Sequence, residues 1–72
     1  MNRQELYKQG KFFIRKRKVE PRGKMALVEP TMWAIYISQE FGSWKLAAKF
    51  ELEEDCDFEI EQFLSDDRWI LE

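Results

Sequence analysis

The chain has 72 residues, of which 36% are charged and 44% are hydrophobic, and its formal net charge is −2. A chain of this length forms one domain, residues 1–72, which buries only about 60% of the surface that the unfolded chain exposes. The composition argues against a disordered chain, because hydrophobic residues are frequent and the net charge is small. No apolar run approaches the roughly 18 residues that cross a bilayer, so we predict no membrane partner.

The chain lacks histidine and has a single cysteine, Cys56. These counts exclude an internal disulfide and argue against a structural zinc site and against Ser-His or Cys-His catalysis. We therefore predict a protein that is not an enzyme, with no cofactor, no metal and no catalytic residue. The N-terminal residues lack the apolar core of a signal peptide, and an unpaired thiol suits a reducing compartment. We accordingly expect a soluble, cytoplasmic protein.

The N-terminal part of the chain predicts a short helix and then two strands. Asn2 is a favourable N-cap for a helix over residues 2–9, and Gly10 is a favourable stop. Aromatic and β-branched side chains favour a strand over residues 11–19. A Pro- and Gly-containing turn then leads to a predicted returning strand at residues 25–28.

The central part predicts a β-hairpin. Residues 31–39 carry apolar side chains on both faces, which is typical of a central strand. Gly42 suits the turn that follows. Residues 44–52 alternate between apolar and polar side chains, so we predict a strand with one buried face. The side chains predicted to face the core are Trp44, Leu46, Ala48, Phe50 and Leu52.

Residues 57–64 fit either a helix, capped by Asp55 or Asp57, or a strand, and we favour the helix because its first turn is acidic. Residues 69–71 then close over the core. The predicted fold class is α+β: a short N-terminal helix, an antiparallel β-meander of about four strands, and a C-terminal helix packed on the sheet. The alternative is a small mostly-β barrel in which the C-terminal residues add a strand.

Charge is segregated along the chain, although the total is close to neutral. Residues 1–24 carry nine Lys or Arg and two Glu, whereas residues 51–67 carry nine Asp or Glu and no basic residue. The basic segment, residues 11–24, contains Lys11, Arg15, Lys16, Arg17, Lys18, Arg22 and Lys24. The acidic segment, residues 51–61, contains Glu51, Glu53, Glu54, Asp55, Asp57, Glu59 and Glu61.

Two functional hypotheses follow from these segments. The leading one is a non-enzymatic protein-interaction module, a regulator, inhibitor or assembly factor, that docks a protein partner through the acidic segment. Phe41 and Trp69 are its candidate apolar anchors, because aromatic side chains are enriched at interface hot spots. The alternative is a nucleic-acid-binding module, in which the basic segment binds phosphates and a neighbouring aromatic ring stacks on a base.

A third interpretation is structural: the two segments lie side by side and neutralise each other. Their placement in space separates these interpretations. If the segments form separate surfaces, the surface that carries a protruding aromatic side chain is favoured as a binding site. We also expect self-association as a two-fold homodimer, because a domain this small cannot easily bury eleven aromatic side chains.

Overall fold

The structure is a computed structural model that describes residues 2–28 and 30–72. Within these residues the chain forms an α+β fold whose strands make one mixed sheet. The elements, in chain order, are α1 (Arg3–Lys8), β1 (Phe12–Val19), a 3₁₀ turn (Gly23–Leu27), β2 (Met32–Glu40), β3 (Ser43–Phe50), α2 (Glu53–Leu64) and β4 (Trp69–Leu71). The predicted α+β class is therefore confirmed.

The sheet has the strand order β3-β2-β1-β4 over the described residues. β1, β2 and β3 form an antiparallel meander with β2 in the interior, as predicted for residues 31–39. β4 joins the other edge of β1 and runs parallel to it. The sheet is open, so the mostly-β barrel is wrong. β4 was not predicted as a strand, and its parallel pairing makes the sheet mixed.

Residues 25–28 do not form the predicted returning strand. Residues Gly23–Leu27 form a 3₁₀ turn instead, and Gly23 has a φ of +61°, which interrupts an extended backbone. Both edges of β1 are also occupied by other segments, because β2 pairs along one edge and β4 along the other. The connection between β1 and β2 is therefore a loop with a tight turn.

The short helix α1 forms as predicted. The side chain of Asn2 caps it, since Oδ1 accepts a hydrogen bond of 3.0 Å from the backbone N–H of Glu5. A helix this short is marginal without tertiary packing. Tyr7 supplies that packing: its ring contacts Phe13 at a centroid distance of 5.1 Å, and its hydroxyl is hydrogen-bonded to Ser38. α1 therefore covers one end of a sheet face.

The second helix, α2, covers the opposite face of the sheet. It begins at Glu53, so Asp55 and Asp57 lie inside the helix and neither caps it, contrary to prediction. Acidic side chains still occupy its first turn, where the helix dipole favours them. The core lies between α2 and the sheet and contains Ile14, Ile35, Cys56 and Ile60, with Trp33, Ile37, Phe50, Phe63 and Trp69 packed around them.

The strand β3 does not keep the predicted alternation. Ile35 pairs with Ala48, whereas the next residue, Tyr36, pairs with Leu46, so Ala47 is an extra residue in a β-bulge. The bulge reverses which face alternate side chains take. Phe50 packs in the core as predicted, but Trp44 and Leu46 lie on the opposite face. Leu52, also predicted to be buried, is 54% exposed beyond the end of the strand.

No helix within residues 2–28 and 30–72 has both the length and the apolar character needed to cross a membrane.

Candidate functional site

The alternation of β1 divides the basic segment between the two faces of the sheet. Lys16 and Lys18 lie on the face that α2 covers, because their ammonium groups stand 4.9 and 5.7 Å from the ring centroid of Trp33, which packs against the core. Arg15 and Arg17 point to the opposite face, which we call the open face. The basic segment is therefore not one continuous surface.

The covered face is where the two charged segments meet. The Nζ atom of Lys16 lies 2.7 Å from a carboxylate oxygen of Glu53 and 2.7 Å from one of Asp57. Hydrogen bonds to Asp57 and Glu53 raise the pKa of Lys16. Lys18 pairs with Glu20 at 3.1 Å. The structural interpretation, mutual neutralisation, thus holds at Lys16.

The remaining members of the basic segment lie at the ends of β1. The Nζ atom of Lys11 donates a hydrogen bond of 3.2 Å to the backbone carbonyl of Asp67. Arg22 and Lys24 are exposed in the connection between β1 and β2. Within the described residues, none of these three side chains contacts the open face. Arg15 and Arg17 are the members of the segment that lie on it.

The open face carries a hollow of about 320 Å³ that is lined by Arg15, Arg17, Tyr36 and Trp44. Pairing in the sheet sets Arg17, Ala34 and Lys49 side by side across three strands. Ala34 is small and fully buried, so neighbouring side chains cover the middle of this row, whose two ends are cationic. Within the described residues, neither Arg17 nor Lys49 has an ion-pair partner.

The neighbouring row is aromatic and apolar. Tyr36 stands between Arg15 and Leu46 in the sheet register. The guanidinium carbon of Arg15 lies 3.9 Å from the centroid of the Trp44 ring, a close cation–π contact. Tyr36 and Trp44 are half-buried, so part of each ring remains accessible. The open face therefore presents aromatic rings beside cationic groups.

Two arginines at the end of the open face share one carboxylate. Glu72 follows β4, and Arg15 Nε donates a hydrogen bond of 2.9 Å to Glu72 Oε1, while Arg3 Nη2 lies 2.5 Å from Oε2. Partial burial on its own would raise the pKa of the Glu72 carboxyl. The hydrogen bonds from Arg15 and Arg3 outweigh this effect, and the pKa lies below its ordinary value.

The acidic segment forms most of α2. Glu51 precedes the helix, and the other acidic residues of the segment lie on it, with Glu53 and Asp57 turned toward Lys16. Phe58 lies in the middle of the helix and is 63% exposed. The position of Phe58 relative to Cys56 and Ile60 places it on the outward side of α2. Sequence analysis did not single out this exposed ring.

The two predicted anchors do not lie on the outward side of α2. Trp69 packs between the sheet and the helix, with ring centroids 5.1 Å from Phe12 and 4.9 Å from Phe63. Phe41 is 59% exposed at the β2–β3 turn, and its ring contacts Tyr7 of α1. The sequence prediction grouped these rings with the acids because it had no information on which face each turn and strand end would take.

Cys56 is fully buried in the core. Burial raises the pKa of its thiol, and the negative charges of Asp57 and Glu53 act in the same direction, whereas Lys16 acts against them. The buried thiol is thus a core side chain.

Comparison with protein-family models, with curated proteins and with solved structures finds no match to this chain.

Proposed function

We propose that the chain is a non-enzymatic binding module whose open face binds single-stranded nucleic acid. The observation that carries the proposal is the pair of adjacent rows on that face. One row has a cation at each end, Arg17 and Lys49 on either side of the buried Ala34, and the next row has the half-buried ring of Tyr36. Single strands are bound by this combination, because phosphates need cations and every base has a face that stacks on an aromatic ring.

The geometry favours a single strand over a duplex. The bases of a duplex are stacked on each other, so their faces are unavailable to Tyr36 or Trp44. The hollow has a volume of about 320 Å³, a size that accepts a few planar rings. The net charge of −2 does not oppose this proposal, because α2 concentrates the acidic residues on the far side of the sheet. Salt screens exposed charges that lie more than a Debye length apart, so the acidic residues of α2 repel a strand on the open face only weakly.

Two double variants with equal charge changes test the proposal. Arg17→Gln with Lys49→Gln removes the cations of the open face. Lys18→Gln with Lys45→Gln removes two lysines from the same strands, but these point to the covered face, where Lys18 stands over Trp33 and Lys45 pairs with Ile37. Binding of a labelled single-stranded oligonucleotide of mixed sequence is measured by fluorescence anisotropy at several salt concentrations.

We expect the open-face variant to weaken binding and to flatten the salt dependence by about 0.7 in log–log slope per lost phosphate contact. Tyr36→Ser should weaken binding about tenfold, in the range that stacking on one ring supplies. Phe58→Ser, which removes an exposed ring from the other side, is its matched control. Equal effects of the two double variants, or no binding by the wild-type chain at low salt, would overturn the proposal.

A second candidate function is protein docking through α2, and the exposed Phe58 favours it. An accessible ring on a helix among carboxylates such as Glu54 and Glu61 suits a partner with an apolar pocket and a basic rim. In affinity capture from nuclease-treated extract, such a partner is retained by the wild-type chain and by the Arg17→Gln, Lys49→Gln variant. It should be lost with Phe58→Ser. A captured protein that Phe58→Ser retains would contradict docking at this site.

A further inference from the structure

The arginines around Glu72 have the properties of an anion site that is already filled. Each carboxylate oxygen of Glu72 is held by a different guanidinium group, Oε1 by Arg15 and Oε2 by Arg3. Arg15 also stacks on Trp44 at 3.9 Å, and Arg3 stands over the Phe13 ring at 5.1 Å. Both cations are therefore held in place by an aromatic ring as well as by the carboxylate.

The position of the carboxylate is set by the backbone. The N–H of Glu72 donates a hydrogen bond of 2.9 Å to the carbonyl of Ile14, which continues the parallel pairing of β4 with β1. This bond places the Glu72 side chain beside Arg15. Arg15 in turn lines the hollow of the open face together with Arg17 and Tyr36. The arginine pair is thus continuous with the surface proposed to bind nucleic acid.

We infer that Arg3 and Arg15 form a phosphate subsite at the end of the open face, and that Glu72 occupies it until a backbone phosphate of the nucleic acid displaces the carboxylate. The inference rests on the proposed function, because the displacing group belongs to the strand bound on that face. Guanidinium groups bind carboxylate and phosphate with the same donor geometry, so one group can replace the other. Glu72 is then an intramolecular competitor that lowers the affinity of the wild-type chain.

The test compares oligonucleotide binding by wild type, Glu72→Gln and Glu20→Gln. Both variants lose one carboxylate, but Glu20 pairs with Lys18, whose ammonium group lies on the covered face, so it controls for the change in net charge. We expect Glu72→Gln to bind at least threefold tighter than Glu20→Gln. Its salt dependence should be steeper by about 0.7 for each additional phosphate contact.

A double variant shows whether the gain comes from the subsite. In Arg3→Gln with Glu72→Gln, half of the subsite is removed, so the gain in affinity should fall by at least half. Inorganic phosphate, added at constant ionic strength, should compete with the oligonucleotide more strongly in Glu72→Gln than in wild type if free phosphate also enters the subsite. If inorganic phosphate competes equally in Glu72→Gln and in wild type, the ligand of the subsite is the oligonucleotide backbone and not free phosphate.

Two results would overturn the inference while the proposed function stands. One is equal affinity of Glu72→Gln and Glu20→Gln for an oligonucleotide that the wild-type chain binds. The other is a gain that persists in the double variant. A lower midpoint of urea unfolding without any gain in affinity would assign Glu72 a structural role only. If neither wild type nor Glu72→Gln binds the oligonucleotide, both the inference and the proposed function are wrong.

Discussion

Arg17 and Lys18 are neighbours in the sequence, yet they contribute to different surfaces. Successive side chains of a strand point to opposite faces, so Arg17 adjoins the hollow of the open face while Lys18 stands over Trp33 on the covered face. A run of four basic residues therefore supplies two cations to each face. Counting charges along the chain overestimates what one ligand can contact.

Asp66 and Arg68 form an exposed pair whose titration can be measured directly. The hydrogen bonds from the Arg68 side chain and backbone lower the pKa of Asp66 to about 2. A depressed carboxyl pKa stabilises the fold above the pKa of the unfolded chain, about 3.9, and this contribution is lost as the pH falls through the folded value. The window for this loss is thus from about pH 4 to about pH 2.

We expect carboxyl NMR to give a titration midpoint for Asp66 near 2 in the wild-type chain. In Arg68→Gln the midpoint should rise toward the ordinary value of about 3.9, because the charged hydrogen-bond donor is gone. The effect on unfolding should be small, since an exposed pair contributes little to stability. An Asp66 midpoint that is the same in both proteins would show that Arg68 does not hold the carboxylate in solution.

At the scale of the element, the bulge in β3 places Phe50 and Leu46 on opposite faces of the sheet. Phe50 and Leu46 are four residues apart and would share a face in a regular strand. The extra residue, Ala47, sends Phe50 into the core and leaves Leu46 50% exposed on the open face.

We therefore expect Phe50→Ala to lower the free energy of unfolding by about 3 kcal/mol, because it creates a cavity beside the core. Leu46→Ala should lower it by about 1 kcal/mol or less, as for an exposed position. Urea unfolding of both variants measures the difference. Similar losses at the two positions would mean that β3 is regular and that Leu46 is buried after all.

The sequence predicts elements better than it predicts their pairing. The Asn2 cap and the apolar spacing are local signals, and they located α1, β1, β2 and β3 to within about two residues and α2 to within about four. The bulge at Ala47 depends on how β3 pairs with β2, which no local pattern reports. The parallel pairing of β4 with β1 is likewise a contact between distant parts of the chain. Residues 25–28 were predicted to pair with β1 because the sequence does not show that β2 and β4 occupy both edges of β1.

The candidate surface was predicted only in part for the same reason. Arg15 and Arg17 were identified from the charge run, but Tyr36, Trp44 and Lys49 were not linked to them. Tyr36 and Lys49 become neighbours of the arginines through the sheet register, and Trp44 does so because the bulge changes its face. In the sequence, residues 31–39 carry apolar side chains on both faces, and this pattern already placed Trp33 and Tyr36 on opposite sides of β2.

At the scale of the whole molecule, the two faces differ in charge, and this affects how copies meet. A two-fold dimer through the open face would bring Arg17 and Lys49 of both copies together, and like charges repel. Contact between the open face of one copy and the acidic side of α2 of another is attractive instead. The sequence prediction of a two-fold homodimer remains a prediction.

We expect any self-association of the wild-type chain to weaken when the salt concentration is raised from 50 to 500 mM, because screening acts on exposed charges (about 14 Å and 4 Å of Debye length, respectively). Sedimentation velocity over a range of concentrations measures this. Arg17→Gln with Lys49→Gln should be monomeric where the wild type associates. Association that grows stronger with salt would identify an apolar interface and would agree better with a two-fold dimer.

The pairing of β4 with β1 has a consequence for the order in which the molecule can be made. Ile14 and Ile35 lie on the face of the meander that α2 covers, and β4 covers the edge of β1, so both stay uncovered until residues 53–71 dock. A partly folded chain of this kind exposes apolar side chains and the free edge of β1, which are the features that recruit chaperones and promote misassembly.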